Sequence, residues 1–328
     1  MKEPPQSSSV DINSLHQTPS TRGPIRDSAA RWLVRGRSVR IAKPLVFGIL
    51  NVTPDSFSDG GRFESLEPAL DHVRRMVDEG ADGIDIGGES TRPQGAEAVS
   101  AERELRRVLP VLAAVREALP DSLISIDTTK GEVARAALDV GVDVINDVSA
   151  FRIDPGVGEI AARAGVGVVL MHSRGGVAEM GTYRFAHYGD DVVADVVQEL
   201  QASVNAALSA GIVRDSIVID PGVGFAKKTE HSLRLLAELE RVVALGFPVM
   251  VGASRKRFIG ELSRVERAAD RVAGTVGANV VALTRGARLF RVHDVAPNRQ
   301  ALDVAWGIVQ AGAGLSSSSG AGPDPDSR

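Results

Sequence analysis

The stretch LVFGILNVTPDSFSDGGRF, residues 45–63, decides the fold, because in it a run without polar side chains gives way to a polar loop within one residue. Residues 45–50 are apolar or glycine, a pattern typical of a strand that is buried on both faces. Asn51 follows directly, and Pro54 and the Asp59-Gly60-Gly61 cluster after it favour tight turns. Asn51 is therefore predicted at the end of a buried strand, where α/β proteins place ligand-binding groups.

From residue 45 onward, short apolar runs alternate with amphipathic segments. Seven further runs are typical of buried strands, at residues 83–86, 123–126, 142–145, 166–171, 217–219, 248–251 and 287–292. Segments with helical periodicity lie at residues 68–79, 101–118, 131–140, 155–164, 190–210, 229–245, 267–283 and 297–309. Eight strand–helix units in about 250 residues predict an α/β fold, the (β/α)8 TIM barrel with parallel strands. A doubly wound parallel sheet is the alternative, because strand count alone does not exclude it.

The segments outside the repeats differ from one another in composition. Residues 32–41 predict an N-terminal β-hairpin that covers the floor of the domain. Residues 1–28 are rich in Pro and Ser and residues 312–328 are low in complexity. Neither segment can bury enough apolar surface to offset its ordering entropy, so both are predicted to be disordered tails. The barrel domain is accordingly predicted to span residues 29–311.

Composition excludes several classes of protein. The 328 residues are 43% hydrophobic, enough for a sizeable core, and 38 basic residues are interspersed with 42 acidic ones, which argues against a nucleic-acid partner. The absence of cysteine excludes disulfides, thiolate metal sites and thiol nucleophiles, and fits a reducing compartment. No apolar run approaches the roughly 20 residues of a membrane helix, and the N-terminus lacks the apolar core of a signal peptide. We therefore predict a cytoplasmic protein without a membrane partner.

A polar side chain follows each predicted strand. The carboxyl ends of barrel strands meet at one mouth, so these side chains should form a ring of mixed charge. A helix cap is the alternative explanation for any one of them. Asp147 is interpreted as such a cap, and His172 as a structural histidine. The residues of the ring, in chain order, are Asn51, Arg92, Asp127, Asn146, His172, Asp220, Lys256, Arg291 and His293.

Several motifs resemble those of the dihydropteroate synthase family, the folate-pathway enzymes that sulfonamides inhibit. GILNVTPDSFSDGG at residues 48–61 is similar to the signature of the family's first strand, and DIGGESTRP at residues 85–93 to its second-loop motif. DPGVGF at residues 220–225, SRK at residues 254–256 and RVH at residues 291–293 are similar to its later motifs. Gln94 stands between Pro93 and Gly95, where the family commonly has Pro-Gly directly. The resemblance extends over residues 31–309.

The resemblance implies a reaction and a set of site residues. The reaction is the condensation of 6-hydroxymethyl-7,8-dihydropterin diphosphate with 4-aminobenzoate to 7,8-dihydropteroate and pyrophosphate, with Mg²⁺. The residues implied for the pterin are Asp127, Asn146, Asp220 and Lys256. Met171 and Phe225 are added as substrate-binding residues because apolar side chains at the mouth can pack against a bound ring, and Gly222 is added with them. Those implied for the diphosphate are Asn51, Arg291 and His293, with Asn51 also near the metal. Those implied for aminobenzoate are Phe57, Thr91, Arg92, Pro93 and Ser254. The residues taken as catalytic are Asn51, Arg92, Asp127, Lys256, Arg291 and His293.

These residue types suit the implied chemistry. A flat heterocycle with ring N–H and amino groups needs in-plane acceptors and donors, and a carboxylate at Asp220 can accept two parallel hydrogen bonds from such an edge. The three basic residues 255–257 could mark only a solvated helix start, but cations at a helix N-terminus oppose the helix dipole, so a ligand is the better explanation for Lys256. If the strand period holds, Arg291 and His293 face one side together, as a phosphate site requires. The amine of aminobenzoate is itself a nucleophile, so no covalent protein nucleophile is required.

Two alternative functions stay open at the level of sequence. A corrinoid-linked methyltetrahydrofolate methyltransferase shares the pterin-binding barrel, and a paralogue could bind pterin without catalysis. The SRK and RVH motifs favour the synthase. The resemblance also implies a homodimer near the last helices, where the small residues of segment 267–283 permit close packing. A further hypothesis is that the pterin binds before aminobenzoate, with Phe57 completing the aminobenzoate site.

Overall fold

An N-terminal hairpin closes the bottom of the barrel. The computed structural model, to which this description refers, describes residues 30–52, 66–89 and 99–318. Strands β1 (Ala30–Val34) and β2 (Arg37–Ile41) pair antiparallel. Trp32 is fully buried, and its indole N–H donates to the carbonyl of Ser216 at 2.9 Å. A Cβ added at Gly167 would lie 2.9 Å from the Trp32 ring, so only glycine fits beneath it. The predicted hairpin and its position at the floor are confirmed.

The remaining strands form one parallel sheet that closes on itself. In spatial order they run β8-β7-β6-β5-β4-β3-β10-β9, and a bridge between Ile219 and Val249 joins the two ends. Each strand lies beside its neighbours in sequence and the first lies beside the last, so the predicted barrel is confirmed and the doubly wound sheet is excluded. The strands are β3 (Leu45–Asn51), β4 (Gly83–Gly87), β5 (Leu123–Asp127), β6 (Val144–Asp147), β7 (Gly167–Met171), β8 (Ile217–Asp220), β9 (Met250–Val251) and β10 (Leu289–Val292).

Helices surround the sheet and bury its outer face. In α2, for example, Val108, Val111, Leu112 and Val115 recur at helical spacing and are buried, and Ser100 caps the first turn. The helices are α1 (Leu66–Asp78), α2 (Ala101–Ala118), α3 (Gly131–Asp139), α4 (Gly156–Ala164), α5 (Val177–Met180), α6 (Val192–Ser209), α7 (Thr229–Ala237), α8 (Glu240–Val243), α9 (Arg257–Ser263), α10 (Val272–Thr284) and α11 (Val295–Ser318). Within the described ranges, no helix combines the length and hydrophobicity needed to cross a membrane. The cytoplasmic location stays a prediction.

The helices of the structure differ from the predicted ones in several places. The segment predicted as one helix over 229–245 is two helices, because the chain leaves helical conformation at Glu238. Helix α9 was not predicted, since it has only seven residues and contains Gly260, a poor helix former. The segment predicted to begin a helix at residue 267 starts with the 3₁₀ turn Ala268–Asp270. Helix α11 continues to Ser318, past the predicted start of a tail at residue 312.

Alternation along the strands puts apolar residues at the barrel floor and polar residues at its mouth. Side chains two positions apart on a strand share a face. Val144, Val218 and Leu289 are buried beside Trp32 in the cluster that fills the floor. Two residues further along the same strands come Asn146, Asp220 and Arg291. The barrel interior therefore changes from apolar to charged within one side-chain layer.

Candidate active site

Arg291 lies at the centre of the polar interior and binds two carboxylates. Its Nε donates to Asp85 Oδ2 at 2.5 Å and its terminal nitrogen donates to Asp127 Oδ2 at 2.8 Å. Asn146 Nδ2 donates to the same Asp85 oxygen at 3.2 Å. Burial disfavours the cation, but Asp85 and Asp127 outweigh it and raise the pKa of Arg291, so the guanidinium stays charged. Residues from β4, β5, β6 and β10 are thus joined in one network.

Asp127 is a carboxyl group whose pKa is raised above its ordinary value. Burial raises its pKa to about 7, although the guanidinium of Arg291 opposes the rise. The carboxylate of Asp85 adds to the increase. The other oxygen of Asp85 is buried and accepts no hydrogen bond from the described residues. The network therefore holds more acceptor capacity than it uses, as a binding site for ring N–H donors requires.

Asp220, at the end of β8, is held by the turn that follows it. Its Oδ1 accepts from the backbone N–H of Gly222 at 2.7 Å, and burial raises its pKa to about 6. Its Oδ2 accepts no hydrogen bond from the described part of the chain, so this oxygen is available to a ligand. Gly222 has φ +66°, and a Cβ there would lie 1.9 Å from the carbonyl oxygen of His172. Only glycine at position 222 allows the turn that donates to Asp220 to form this close to His172.

Lys256 faces the same space from the loop after β9. Its ammonium lies 3.4 Å from the centroid of the Phe225 ring, a cation–π contact. Burial and the charge of Arg291 together lower the pKa of Lys256 to about 7, while Asp220 opposes the change. Phe225 packs with Met171 in a small apolar cluster at the barrel mouth, completed by Val148 and Met180. A flat ligand here would meet an apolar wall on one side and charged groups around its edge.

Asn51, Ser254 and His293 lie further out along the strands. Asn51 is half-buried at the end of β3, between β4 and β10. Ser254 Oγ accepts from the backbone N–H of His293 at 3.1 Å and lies 3.0 Å from His293 Nδ1. The serine that the resemblance assigned to aminobenzoate therefore contacts the histidine assigned to the diphosphate. Phe57, Thr91, Arg92 and Pro93, which were predicted to line the aminobenzoate site, lie outside the described residues.

Two arginines support the turn that carries Ser254 and Lys256. Arg255 has φ +58°, and its guanidinium binds Asp294 at 2.9 and 2.6 Å, which links the loops after β9 and β10. Arg271 donates to the carbonyl of Arg255 at 3.1 Å. In the SRK motif, Arg255 thus connects the two loops, and the residues on either side of it face the mouth.

Asp147 and His172, which were interpreted as structural residues, both make hydrogen bonds within the protein. Asp147 accepts from the backbone N–H groups of Ser149 at 2.7 Å and Phe151 at 3.2 Å, as a cap does. His172 Nδ1 lies 2.8 Å from Lys227 Nζ, and its Nε2 lies 3.0 Å from Glu199 Oε2. His172 therefore supports the site from behind.

Sequence reasoning missed Asp85 and Lys227. Asp85 stands between two isoleucines in the apolar run of β4, and a charged residue within a buried strand is itself a signal of function. Lys227 stands in a polar loop, where a lysine is ordinary. Nothing in the local pattern indicates that its side chain is fully buried.

Comparison with known proteins agrees with this geometry. The model of the family described as pterin binding enzyme matches residues 47–293. A dihydropteroate synthase from Synechocystis sp. is 45% identical over 260 residues, which cover 79% of this chain and 88% of that protein. A Xanthomonas albilineans dihydropteroate synthase, solved with 4-aminobenzoic acid, is 48% identical with a TM-score of 0.79, covering 87% of this chain and 99% of that one.

A larger relative also matches. The mitochondrial folate synthesis bifunctional protein of Arabidopsis thaliana is 43% identical over 273 residues, and the match covers 80% of this chain but only 49% of that protein. This chain thus spans about half the length of that relative. With the fold, the polar ring and the relatives in agreement, the chain belongs to the dihydropteroate synthase family of pterin-binding enzymes.

Proposed function

We infer that this chain is a dihydropteroate synthase, a transferase of folate biosynthesis. It condenses 6-hydroxymethyl-7,8-dihydropterin diphosphate with 4-aminobenzoate and releases 7,8-dihydropteroate and pyrophosphate. The observation that carries the inference is the ring of Asp127, Asn146, Asp220, Lys256 and Arg291 around one barrel mouth. The Xanthomonas albilineans relative, solved with 4-aminobenzoic acid, supports the second substrate.

The pterin is proposed to bind in the polar interior. The 2-amino group and adjacent ring N–H of a pterin form a pair of parallel donors, which the carboxylate of Asp220 can accept with the oxygen that the protein leaves available. Lys256 donates to the ring carbonyl and a ring nitrogen, and Asn146 supplies an amide. Met171 and Phe225 pack against the ring face, and Gly222 lets the turn come close.

The diphosphate is proposed to lie between Arg291, at the centre of the polar interior, and Asn51 and His293, which lie further out. Pyrophosphate is a good leaving group when cations neutralise the charge that develops on it. As it leaves, its C–O bond breaks and the electron-rich pterin ring delocalises the positive charge on carbon. The amine of aminobenzoate then forms the new C–N bond and loses a proton. The chain's residues bind and orient both substrates, and none forms a covalent intermediate.

Mg²⁺ is proposed as a partner of the diphosphate. The described residues contain no group of three or more His, Cys, Asp or Glu side chains that could hold a metal by themselves. Mg²⁺ usually keeps several waters and binds through few protein oxygens and the substrate's phosphates. The amide oxygen of Asn51 at the barrel mouth can serve as such a protein ligand. When bound there, Mg²⁺ would neutralise phosphate charge.

Aminobenzoate is proposed to bind beside the diphosphate, with Ser254 as the member of its site that lies in the described part of the chain. The other proposed members of this site are known from the sequence resemblance alone: Phe57, Thr91, Arg92 and Pro93.

Release of pyrophosphate tests the function directly. With the pterin diphosphate and Mg²⁺, we expect pyrophosphate to form in amounts equal to dihydropteroate and only when 4-aminobenzoate is present. Methyl transfer from methyltetrahydrofolate to a reduced corrinoid, without pyrophosphate release, would instead identify the methyltransferase. Pterin binding without either reaction would identify a non-catalytic paralogue.

A homodimer is proposed through α10 and α11. Val304 and Ile308 lie four residues apart on α11, so they share one face, and their exposures are 61% and 69%. On α10, Val281 is 47% exposed. Ile308→Asp should place a charge in this interface and halve the mass measured by light scattering at micromolar concentration. Val213→Asp, at a valine outside both helices that is 57% exposed, should leave the mass unchanged. A wild-type chain that is monomeric at this concentration would contradict the proposal.

A further inference from the structure

Lys227 is a buried lysine that the binding groups described above do not include. Its side chain is 2% exposed. Its ammonium donates to the carbonyl of Phe225 at 3.0 Å and lies 2.8 Å from His172 Nδ1. Among the described residues, no carboxylate forms an ion pair with it. A buried cation without a direct counter-ion costs free energy, so its presence here calls for a function.

A series of hydrogen bonds connects Lys227 to the partly exposed Glu199, and the partners determine which atom donates in each bond. An ammonium group only donates, so His172 Nδ1 must accept, and the ring proton is on Nε2. That proton is donated to Glu199 Oε2 at 3.0 Å, and the Glu199 side chain is 41% exposed. Arg174 Nε donates to both oxygens of Glu199, at 3.1 and 3.2 Å. The ammonium of Lys227, a neutral imidazole and an ionised carboxylate therefore form one ordered chain.

The hydrogen-bonded series of Lys227, His172 and Glu199 holds both ends of the turn that follows Asp220. At the start of the turn, the backbone N–H of His172 donates to the carbonyl of Asp220 at 2.9 Å. At its end, Lys227 donates to the carbonyl of Phe225. In the middle, a Cβ added at Gly222 would lie 3.4 Å from the ammonium of Lys227. The turn is thus packed directly on the pair formed by Lys227 and His172.

The charge of Lys227 also acts on Asp220. Burial raises the pKa of Asp220, and the ammonium of Lys227 is among the groups that hold it down. Burial lowers the pKa of Lys227 to about 7, while Asp220 and Glu199 favour its charged form. Around Lys227, the charged and titratable groups are His172 and Arg174 after β7, Tyr188 before α6, Glu199 on α6, Asp220 on β8, His231 on α7 and Lys256 before α9.

We propose that Lys227 is a positioning residue for pterin recognition: anchored on His172, it holds the Gly222 turn in place and keeps a positive charge behind the Asp220 carboxylate. The proposal rests on the proposed function, because it deepens the role of Asp220 in that site. Lys227 itself touches no substrate in this scheme.

Substitution of Lys227 by methionine tests the proposal, because methionine has a similar length and neither charge nor donor. Calorimetry with 6-hydroxymethyl-7,8-dihydropterin should show a loss of affinity of about tenfold. In the enzyme assay, the KM for the pterin diphosphate should rise while the KM for aminobenzoate stays unchanged. Without the ammonium, the pKa of Asp220 should rise, so pterin binding should begin to weaken at a higher pH than in the wild type.

The matched control is Lys228→Met, at the neighbouring lysine, whose side chain is 49% exposed; we expect wild-type affinity and pH profile. Lys227→Arg keeps the charge and should restore the pH profile in part. A purely structural lysine would lower thermal stability in Lys227→Met without moving the pH profile or the pterin affinity, and that result would overturn the proposal.

If Lys227→Met does not fold, His172→Leu serves in its place, since leucine has no polar side-chain atom and so removes the link between Lys227 and Glu199. The same loss of pterin affinity is expected there, and unchanged affinity would overturn the proposal. The calorimetric readout needs no turnover. A wild-type chain that binds the pterin but releases no pyrophosphate would therefore refute the proposed function while leaving the role of Lys227 measurable.

Discussion

Replacing Asp220 by asparagine should weaken pterin binding roughly 10- to 150-fold while the barrel remains folded. Asparagine keeps the shape but turns one acceptor into a donor that faces the ring N–H groups, and a hydrogen bond to a charged group contributes about 1.5–3 kcal/mol. Asp220 is 4% exposed, so water cannot replace the lost bonds readily. Calorimetric titration with 6-hydroxymethyl-7,8-dihydropterin measures the change.

The pH dependence of the same variant gives a second readout. Burial raises the pKa of Asp220 to about 6, so the wild type should lose pterin affinity as the pH falls through that value. The asparagine variant has no group to protonate, so this loss should disappear. Asp215→Asn, at an exposed aspartate before β8, is the control and should behave as wild type. Unchanged pterin affinity in Asp220→Asn would remove Asp220 from the site.

Replacing Arg291 by glutamine should reduce both stability and activity more than any exposed arginine would. It leaves the buried Asp85 and the partly buried Asp127 without their counter-ion, and removal of one partner from a buried pair costs about 3–5 kcal/mol. Loss of a donor to the departing diphosphate should lower activity roughly 10²- to 10³-fold. Arg285→Gln is the control, because its bond to Glu240 lies at the surface and should contribute less than about 1 kcal/mol.

The stability difference should depend on pH with a defined sign. The pKa of Asp127 is raised to about 7, above the ~3.9 of an unfolded chain, so the folded protein binds more protons between these values and its stability falls as the pH rises through them. Without Arg291 the pKa of Asp127 rises further, so the loss of stability with rising pH extends above pH 7. Thermal midpoints of wild type and Arg291→Gln should therefore differ more at pH 8 than at pH 6. An equal difference at both pH values would argue against the buried pairing.

Most of the fold is encoded locally and could be predicted. An apolar run such as residues 45–50 and an amphipathic segment such as residues 101–118 each reveal their conformation by period alone, and their alternation indicates an α/β fold, the barrel or the doubly wound sheet. The polar residues after the strands were predictable for the same reason. Asn146, Asp220 and Arg291 each stand two positions beyond a floor residue, and that spacing directs all three inward.

The contacts that complete the site depend on closure of the barrel. Arg291 meets Asp85 across 206 positions of sequence because β3 pairs with both β4 and β10. Lys227 meets His172 across 55 positions because β7 and β8 are neighbours. Such pairs leave no periodic signal, since a hydrogen bond between distant residues depends on tertiary distance and local preference does not encode it. The sequence by itself thus determined the strands, most of the helices and most of the ring, whereas tertiary structure alone decided which charges neutralise one another and which lysine is buried.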